Sequence, residues 1–293
     1  MSDLGSLNVV AGLFFVCATA QAFAASDVGQ SQVPNFSSAD LSWSPIGAVR
    51  PPASGLGPIG TVSSDIVRRE LVNGNGEIAE RPLALVDEKN TNLKPWAAEV
   101  LNKVNEDRIA GKRSYTAHAM CLPAGVPEFL TIGGAFQSMY LIQTPQEVLM
   151  VNSFDSQVRR VYMNAQHISN PKPSWYGDSV GHYEGDTLVV DTIGLNDKSV
   201  LTNGVPHTAQ LHVVERFRLM ENGTQLQAEF TVDDPGTFNA PWSGIVTYRR
   251  RGGAAELTET PCAESSALNG GAWFPQGTGS EVIPIPIASK PDF

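Results

Sequence analysis

The chain has 293 residues, 42 % hydrophobic and 17 % charged, which is apolar enough for a core and too weakly charged for a disordered or coiled-coil protein. Its 27 glycines and 20 prolines interrupt regular structure too often for a helical bundle. Twenty Lys+Arg against 30 Asp+Glu give a net charge of −10, and the longest basic run is Arg249-Arg250-Arg251, so no nucleic-acid partner is expected.

The first element is a targeting segment. Residues 7–25 read LNVVAGLFFVCATAQAFAA, a short apolar run followed by the small-residue pattern Ala22-Phe23-Ala24 that signal peptidase accepts. We read residues 1–24 as a signal peptide, which implies a periplasmic or secreted protein, although the first residues carry no Lys or Arg. The run turns polar at Thr19 and Gln21, short of the ~20 apolar residues of a membrane span, so no integral span is expected. Cleavage removes Cys17 and leaves Cys121 and Cys262. In an oxidising compartment these two are expected to form a disulfide, the alternative being two separate buried thiols.

Residues 25–65 are rich in Ser, Pro and Gly and read as an extended arm, draped on the core through Trp43 and the Ile59 region. Residues 66–115 read as a helical connector. Within it Asn73-Gly74-Asn75-Gly76 marks a turn, and Pro95 opens a helix with apolar positions Ala97, Val100, Leu101, Val104 and Ile109, ended by Gly111.

Residues 116–265 change texture to short strands separated by turns. The candidates are 129–132, 139–144, 147–154, 158–163, 179–183, 187–193, 211–220, 225–233, 244–248 and 256–260. Asn222-Gly223 and Glu184-Gly185-Asp186 each join two such runs and mark hairpins. The expected fold is all-β, an antiparallel meander closing as a barrel, with a sandwich as the alternative and one short helix before it. Residues 266–293 form an irregular tail.

No nucleotide-binding loop, dinucleotide fingerprint, serine elbow, zincin motif or paired C-x-x-C is present, so neither cofactor nor metal is expected. Polar, titratable residues concentrate instead between Trp175 and Trp242. Alternation along residues 211–219 puts Leu211, Val213, Glu215, Phe217 and Leu219 on one face and His212, Val214, Arg216 and Arg218 on the other. Glu215 therefore sits in an apolar stripe, where desolvation demands a partner or a raised pKa. Asp191 is read as a second inward carboxylate, so that the two form an acid/base pair in an apolar cavity. The structural alternative is an ion pair of Glu215 with Arg159 or Arg249, Asp191 merely capping a turn. His207 is the candidate proton carrier at the cavity rim, with Arg216 or Tyr183 stabilising an anion. Trp175, His182, His212 and Trp242 are candidate substrate-binding residues.

These residues carry a resemblance. Trp175 leads into Gly177-Asp178-Ser179-Val180-Gly181-His182-Tyr183-Glu184-Gly185-Asp186-Thr187-Leu188-Val189-Val190-Asp191-Thr192, followed by Pro206-His207-Thr208, Leu211 to Phe217, Asp233-Asp234-Pro235 and Pro241-Trp242. Upstream stand Cys121-Leu122-Pro123-Ala124-Gly125 and the run Val158 to Met163. Over roughly residues 120–265 the chain resembles a family of exported bacterial proteins with the pattern G-x-S-x-G-x-W-E-G-D-T-L-V-V-D-T, with Tyr183 in place of the usual Trp and a longer arm. The resemblance implies an exported β-rich protein and supplies no reaction. The expectation is thus an exported, cofactor-independent lyase, isomerase or hydrolase acting on a hydrophobic small molecule in a barrel cavity. The alternatives are a periplasmic binding protein for such a molecule and a structural envelope module.

Overall fold

A computed structural model describes residues 33–37, 41–72, 78–112, 122–131, 138–153 and 157–252. The signal peptide, both cysteines of the expected disulfide, the Asn73–Gly76 turn, the strand expected at 256–260 and the tail lie outside the described residues.

The strands are β1 (Leu41–Pro45), β2 (Thr61–Val72), β3 (Ile78–Val86), β4 (Met139–Gln143), β5 (Glu147–Asn152), β6 (Val158–Met163), β7 (Asp178–Glu184), β8 (Thr187–Ile193), β9 (His212–Met220), β10 (Gln225–Asp233) and β11 (Trp242–Gly252), with helix α1 (Pro95–Ile109) between β3 and β4. Nine strands close a barrel in the order β1-β11-β10-β9-β8-β7-β6-β5-β4, and β2 with β3 forms a separate two-stranded ribbon. The expected all-β barrel with one short helix is what the chain adopts. Full closure leaves no edge in the main sheet.

Three corrections to the expected layout follow. Residues 66–115, expected as a helical connector, carry the end of β2 and all of β3 ahead of α1. The arm is not merely draped on the core: β1 lies inside it, pairs along its length with β11 and closes the barrel through Trp43 opposite Met139. Trp43 and Ile59 are both fully buried, as the arm's two contact points were expected to be. The segment expected as a strand from Phe129 is instead a single 3-10 turn over Glu128–Leu130, closed by Leu130 N donating to Pro127 O and Thr131 N to Glu128 O, each at 2.9 Å.

Alternation decides the inside of the barrel. Arg159, Val161 and Met163 of β6, Leu188, Val190 and Thr192 of β8, Val213, Glu215 and Phe217 of β9, and Leu226, Ala228, Phe230 and Val232 of β10 are all buried. The turns are where the sequence puts them: Gly185 adopts φ +61° between Glu184 and Thr187, and Asn222 and Gly223 adopt φ +53° and +83° between β9 and β10.

One junction breaks the meander. β6 and β7 pair in parallel, Tyr162 opposite Val180, so the connecting residues 164–177 must return to the end where β6 began. That crossover carries His167 and Trp175. At the other side, α1 is tied to β3 by Asn105, which accepts from Val86 N at 2.9 Å and donates to Val86 O at 2.8 Å. Its leading end is tied to the β10–β11 loop by Trp96 Nε1 donating to Gly236 O at 2.7 Å. Among the described residues no helix is long and apolar enough to cross a membrane.

Candidate functional site

Glu215 points into the barrel, as its alternation requires, and is fully buried. Its partner is Arg159, also fully buried, which reaches across from β6 with Nη1 to Oε1 at 2.8 Å and Nη2 to Oε2 at 2.5 Å. Arg159 Nη2 also donates to Thr192 Oγ1 at 2.9 Å and Ser179 Oγ at 3.3 Å, and those two hydroxyls share a 2.9 Å hydrogen bond. Burial pushes the Tyr248 hydroxyl well up, with the Glu215 charge adding to it, so it stays protonated and donates to Leu130 O at 2.6 Å. The bidentate pair commits both carboxylate oxygens to Arg159, whose guanidinium is held in turn by the two hydroxyls. Glu215 is a core ion pair with one of the two arginines named as its structural partner.

Asp191 does not share that interior. Its cross-strand partner is Val214, whereas Glu215 faces Val190, so Asp191 stands on the outside of the barrel with 37 % of its side chain exposed. The inward acid/base pair is therefore corrected. Outside, Asp191 Oδ1 meets His212 Nε2 at 3.0 Å and His167 Nε2 at 2.9 Å, and His167 Nδ1 meets Asp178 Oδ2 at 2.9 Å. The near-buried Asp178 also accepts from Ile168 N at 2.9 Å, which fixes the crossover that carries His167. Burial alone lowers the His167 pKa, but the two carboxylates outweigh it and raise it. No motif surrounds His167 in the sequence. Only the parallel β6–β7 junction brings it to Asp191. The arrangement is a linear chain of imidazoles and carboxylates, and among the described residues no group of three or more such side chains is arranged to hold a metal.

The other outward residues form surface pairs. Arg216 is ion-paired with Glu184, His182 Nε2 lies 3.1 Å from the same carboxylate, and Arg218 lies 3.1 Å from Asp186. Tyr183 accepts a hydrogen bond from Gln143 Nε2 at 2.7 Å, placing its oxygen away from Arg216. Trp242 is packed edge-on against Phe230 and Phe238, at 5.9 and 5.8 Å, in the core. Trp175 is half-buried in the crossover. The structure thus scatters the expected aromatic lining.

His207 is buried rather than placed on a rim. Its Nδ1 donates to Thr208 O at 3.1 Å, so Nε2 is the acceptor and takes the Ser199 hydroxyl at 2.9 Å. Burial lowers its pKa, consistent with a neutral ring. A serine bonded to an oriented histidine has the form of a nucleophile–base pair. Here Ser199 is closed over Gly125, where a Cβ would come within 2.4 Å of Ser199 Oγ, and this leaves no space for a substrate carbonyl.

The open space lies elsewhere. A pocket of about 660 Å³ opens where the arm crosses the barrel mouth, walled by Val49, Pro51, Ile59, Leu130 and Val246 and by the turns carrying Glu128 and Thr202. Among the described residues of that wall, Glu128 is the one charged side chain. Burial pushes its carboxyl up to about 7, the nearby Thr131 and Thr202 hydroxyls pulling it back by less. Thr202 is near without meeting Glu128 in hydrogen-bond geometry, so Glu128 Oε2 and Thr202 Oγ1 are both closed off from bulk water with no hydrogen bond. Buried polar atoms of that kind are rare and expensive. Sequence reasoning passed over Glu128, although an acid set between Pro127 and Phe129-Leu130 was the available signal.

Compared with known proteins, the chain matches no family profile, no curated protein and no solved structure.

Proposed function

We propose that the chain is a cofactor-independent acid/base enzyme, acting on a small and largely apolar molecule in the pocket at the barrel mouth, with Glu128 as the group that takes and returns the proton. The observation that carries this reading is the Glu128 carboxyl, pushed up to about 7 in an apolar wall with Oε2 left unbonded. An acid or base is most effective when its pKa lies near working pH, and desolvation in an apolar pocket is the usual way a carboxyl reaches that value. The barrel supplies rigidity, since Tyr248 of the strand that bears Val246 donates to Leu130 O in the turn that bears Glu128. The apolar run and the small-residue site ahead of the arm support export to the periplasm or medium.

The test uses a nitrobenzisoxazole, an apolar ring that opens when any base removes one proton. Wild-type protein is expected to open it with a rate that rises through about pH 7 to a plateau, and Glu128→Gln to lose about 100-fold or more. Equal rates in the two proteins would overturn the reading. Saturable binding of the probe without ring opening would leave a binding protein in place of an enzyme.

A further inference from the structure

We infer that the pocket takes a neutral, enolisable ketone and moves its double bond, Thr202 holding the carbonyl oxygen while Glu128 carries the proton. This deepens the acid/base reading of the same pocket and rests on it. Asn203 Nδ2 is committed to Ile59 O at 2.7 Å, and Thr131 Oγ1 donates to the Glu128 carbonyl at 3.2 Å. Among the side-chain polar atoms of the described wall residues, Thr202 Oγ1 and Glu128 Oε2 are the two that are buried without a hydrogen bond, both beside an apolar volume. The Thr202 turn is rigid in its own right, because Asn203 holds φ +66° and is anchored to Ile59.

Three kinds of polar head can be compared against that pair. A carboxylate ligand would accept from Thr202 but bring its charge against Glu128, with no Lys or Arg among the described wall residues to compensate. An ammonium would pair with Glu128 and leave the Thr202 hydroxyl without an acceptor. A ketone with an acidic α-hydrogen satisfies both: its oxygen accepts from Thr202 Oγ1, and its C–H meets the carboxylate. The proton shift is then balanced without any oxidant. Glu128 takes the α-proton, the C–H electron pair forms a carbon–carbon double bond, and the carbonyl π pair moves onto the oxygen held by Thr202. Returned by the same carboxyl to the γ-carbon, the proton restores the carbonyl and leaves the double bond conjugated with it. One carboxyl serves both halves because it is neither a strong nor a weak acid there.

The experiment gives the intact protein a cyclic β,γ-unsaturated ketone. Conjugation is followed by ultraviolet absorbance and exchange by deuterium uptake from heavy water. Wild-type protein is expected to do both, Glu128→Gln to lose about 100-fold or more, and the near-isosteric Thr202→Val to lose about 10-fold to 100-fold in kcat with the melting temperature unchanged. If the ketone neither exchanges nor isomerises while Glu128 still opens the nitrobenzisoxazole, the ketone assignment falls and the acid/base reading stands. If neither probe reacts, both fall. Conversion of the ketone at an undiminished rate by Thr202→Val overturns the role given to Thr202.

Discussion

Replacing Glu128 by Gln should stabilise the protein, by an amount that grows from about pH 4.5 and is complete above about pH 7. The carboxyl is pushed from an ordinary value of 4.5 to about 7 because burial disfavours its charged form. A group whose folded pKa is raised in this way binds its proton more tightly in the folded state. Folding stability therefore falls as pH rises from 4.5 towards 7, and the penalty is complete above 7. At about 1.36 kcal/mol per pH unit the full penalty is about 3 kcal/mol. The residue as a whole is only partly buried in the pocket wall, and this reduces the figure to about 1–3 kcal/mol. Gln has nearly the same shape and no charge, so urea unfolding near pH 8.5 should show the variant more stable by that amount, a gain of about 2–4 °C in Tm per kcal/mol. Near pH 4.5 the two proteins should nearly coincide. A variant no more stable than wild type near pH 8.5, or equally stabilised at both pH values, would refute the reasoning. The gain is of the kind expected where a site is held ready at the expense of stability.

Three further outcomes follow from the other polar groups. Arg159→Met leaves the fully buried Glu215 carboxylate without its partner and should cost about 3–5 kcal/mol in urea unfolding, whereas adding Glu215→Leu should recover much of it; a harmless single substitution would show that the pair does not hold the core. His167→Gln should lower the melting temperature more near pH 5.5 than near pH 8.5. Its raised pKa means that the His167 contribution is present below the ordinary value of 6.5 and disappears as pH rises through the folded value. With His167 about a quarter exposed beside a more exposed Asp191, about 0.5–1 kcal/mol is at stake, and a pH-independent loss would contradict the assignment. Asp234→Ala removes the acceptor of Thr208 N, Thr208 Oγ1, Gly236 N and Thr237 Oγ1, at 2.7, 2.6, 3.0 and 2.7 Å, and should cost about 2–4 kcal/mol by thermal unfolding. A loss within experimental error would show that these donors find other partners.

The barrel was legible because its information is local. β6 and β10 are bounded by the residues at which their alternating patterns start and stop, and Asn222-Gly223 and Glu184-Gly185-Asp186 specify their hairpins through backbone conformations few other residues adopt. The inward direction of Glu215 was likewise fixed by its neighbours on one strand. Its partner among the arginines was not, since Arg159 lies 56 positions away and only the closed strand order brings the two together.

Asp191 shows where alternation alone fails. In β8 the residues Leu188, Val189 and Val190 are all buried, so the sequence carries no clean period to say which face is inside. The register against β9 decides it, and puts Asp191 beside Val214. His167 and Glu128 were missed for a different reason. Each sits on an irregular segment, one in the crossover made necessary by a parallel pair and the other in a tight turn after Pro127, where no period exists to read. The arm was misjudged because Ser, Pro and Gly dominate its composition and hide the five residues of β1. Candidate chemistry and irregular backbone coincide here, as binding and catalytic residues tend to gather on loops held by a rigid scaffold.

The proton affinity of one side chain decides the account most directly. In protein labelled with carbon-13 at the Glu carboxyl carbons, the Glu128 resonance, identified by its absence from Glu128→Gln, is predicted to titrate with a midpoint of about 7. A midpoint at or below 4.5 would mean a solvated, ordinary carboxylate, and would contradict a pocket built to move protons.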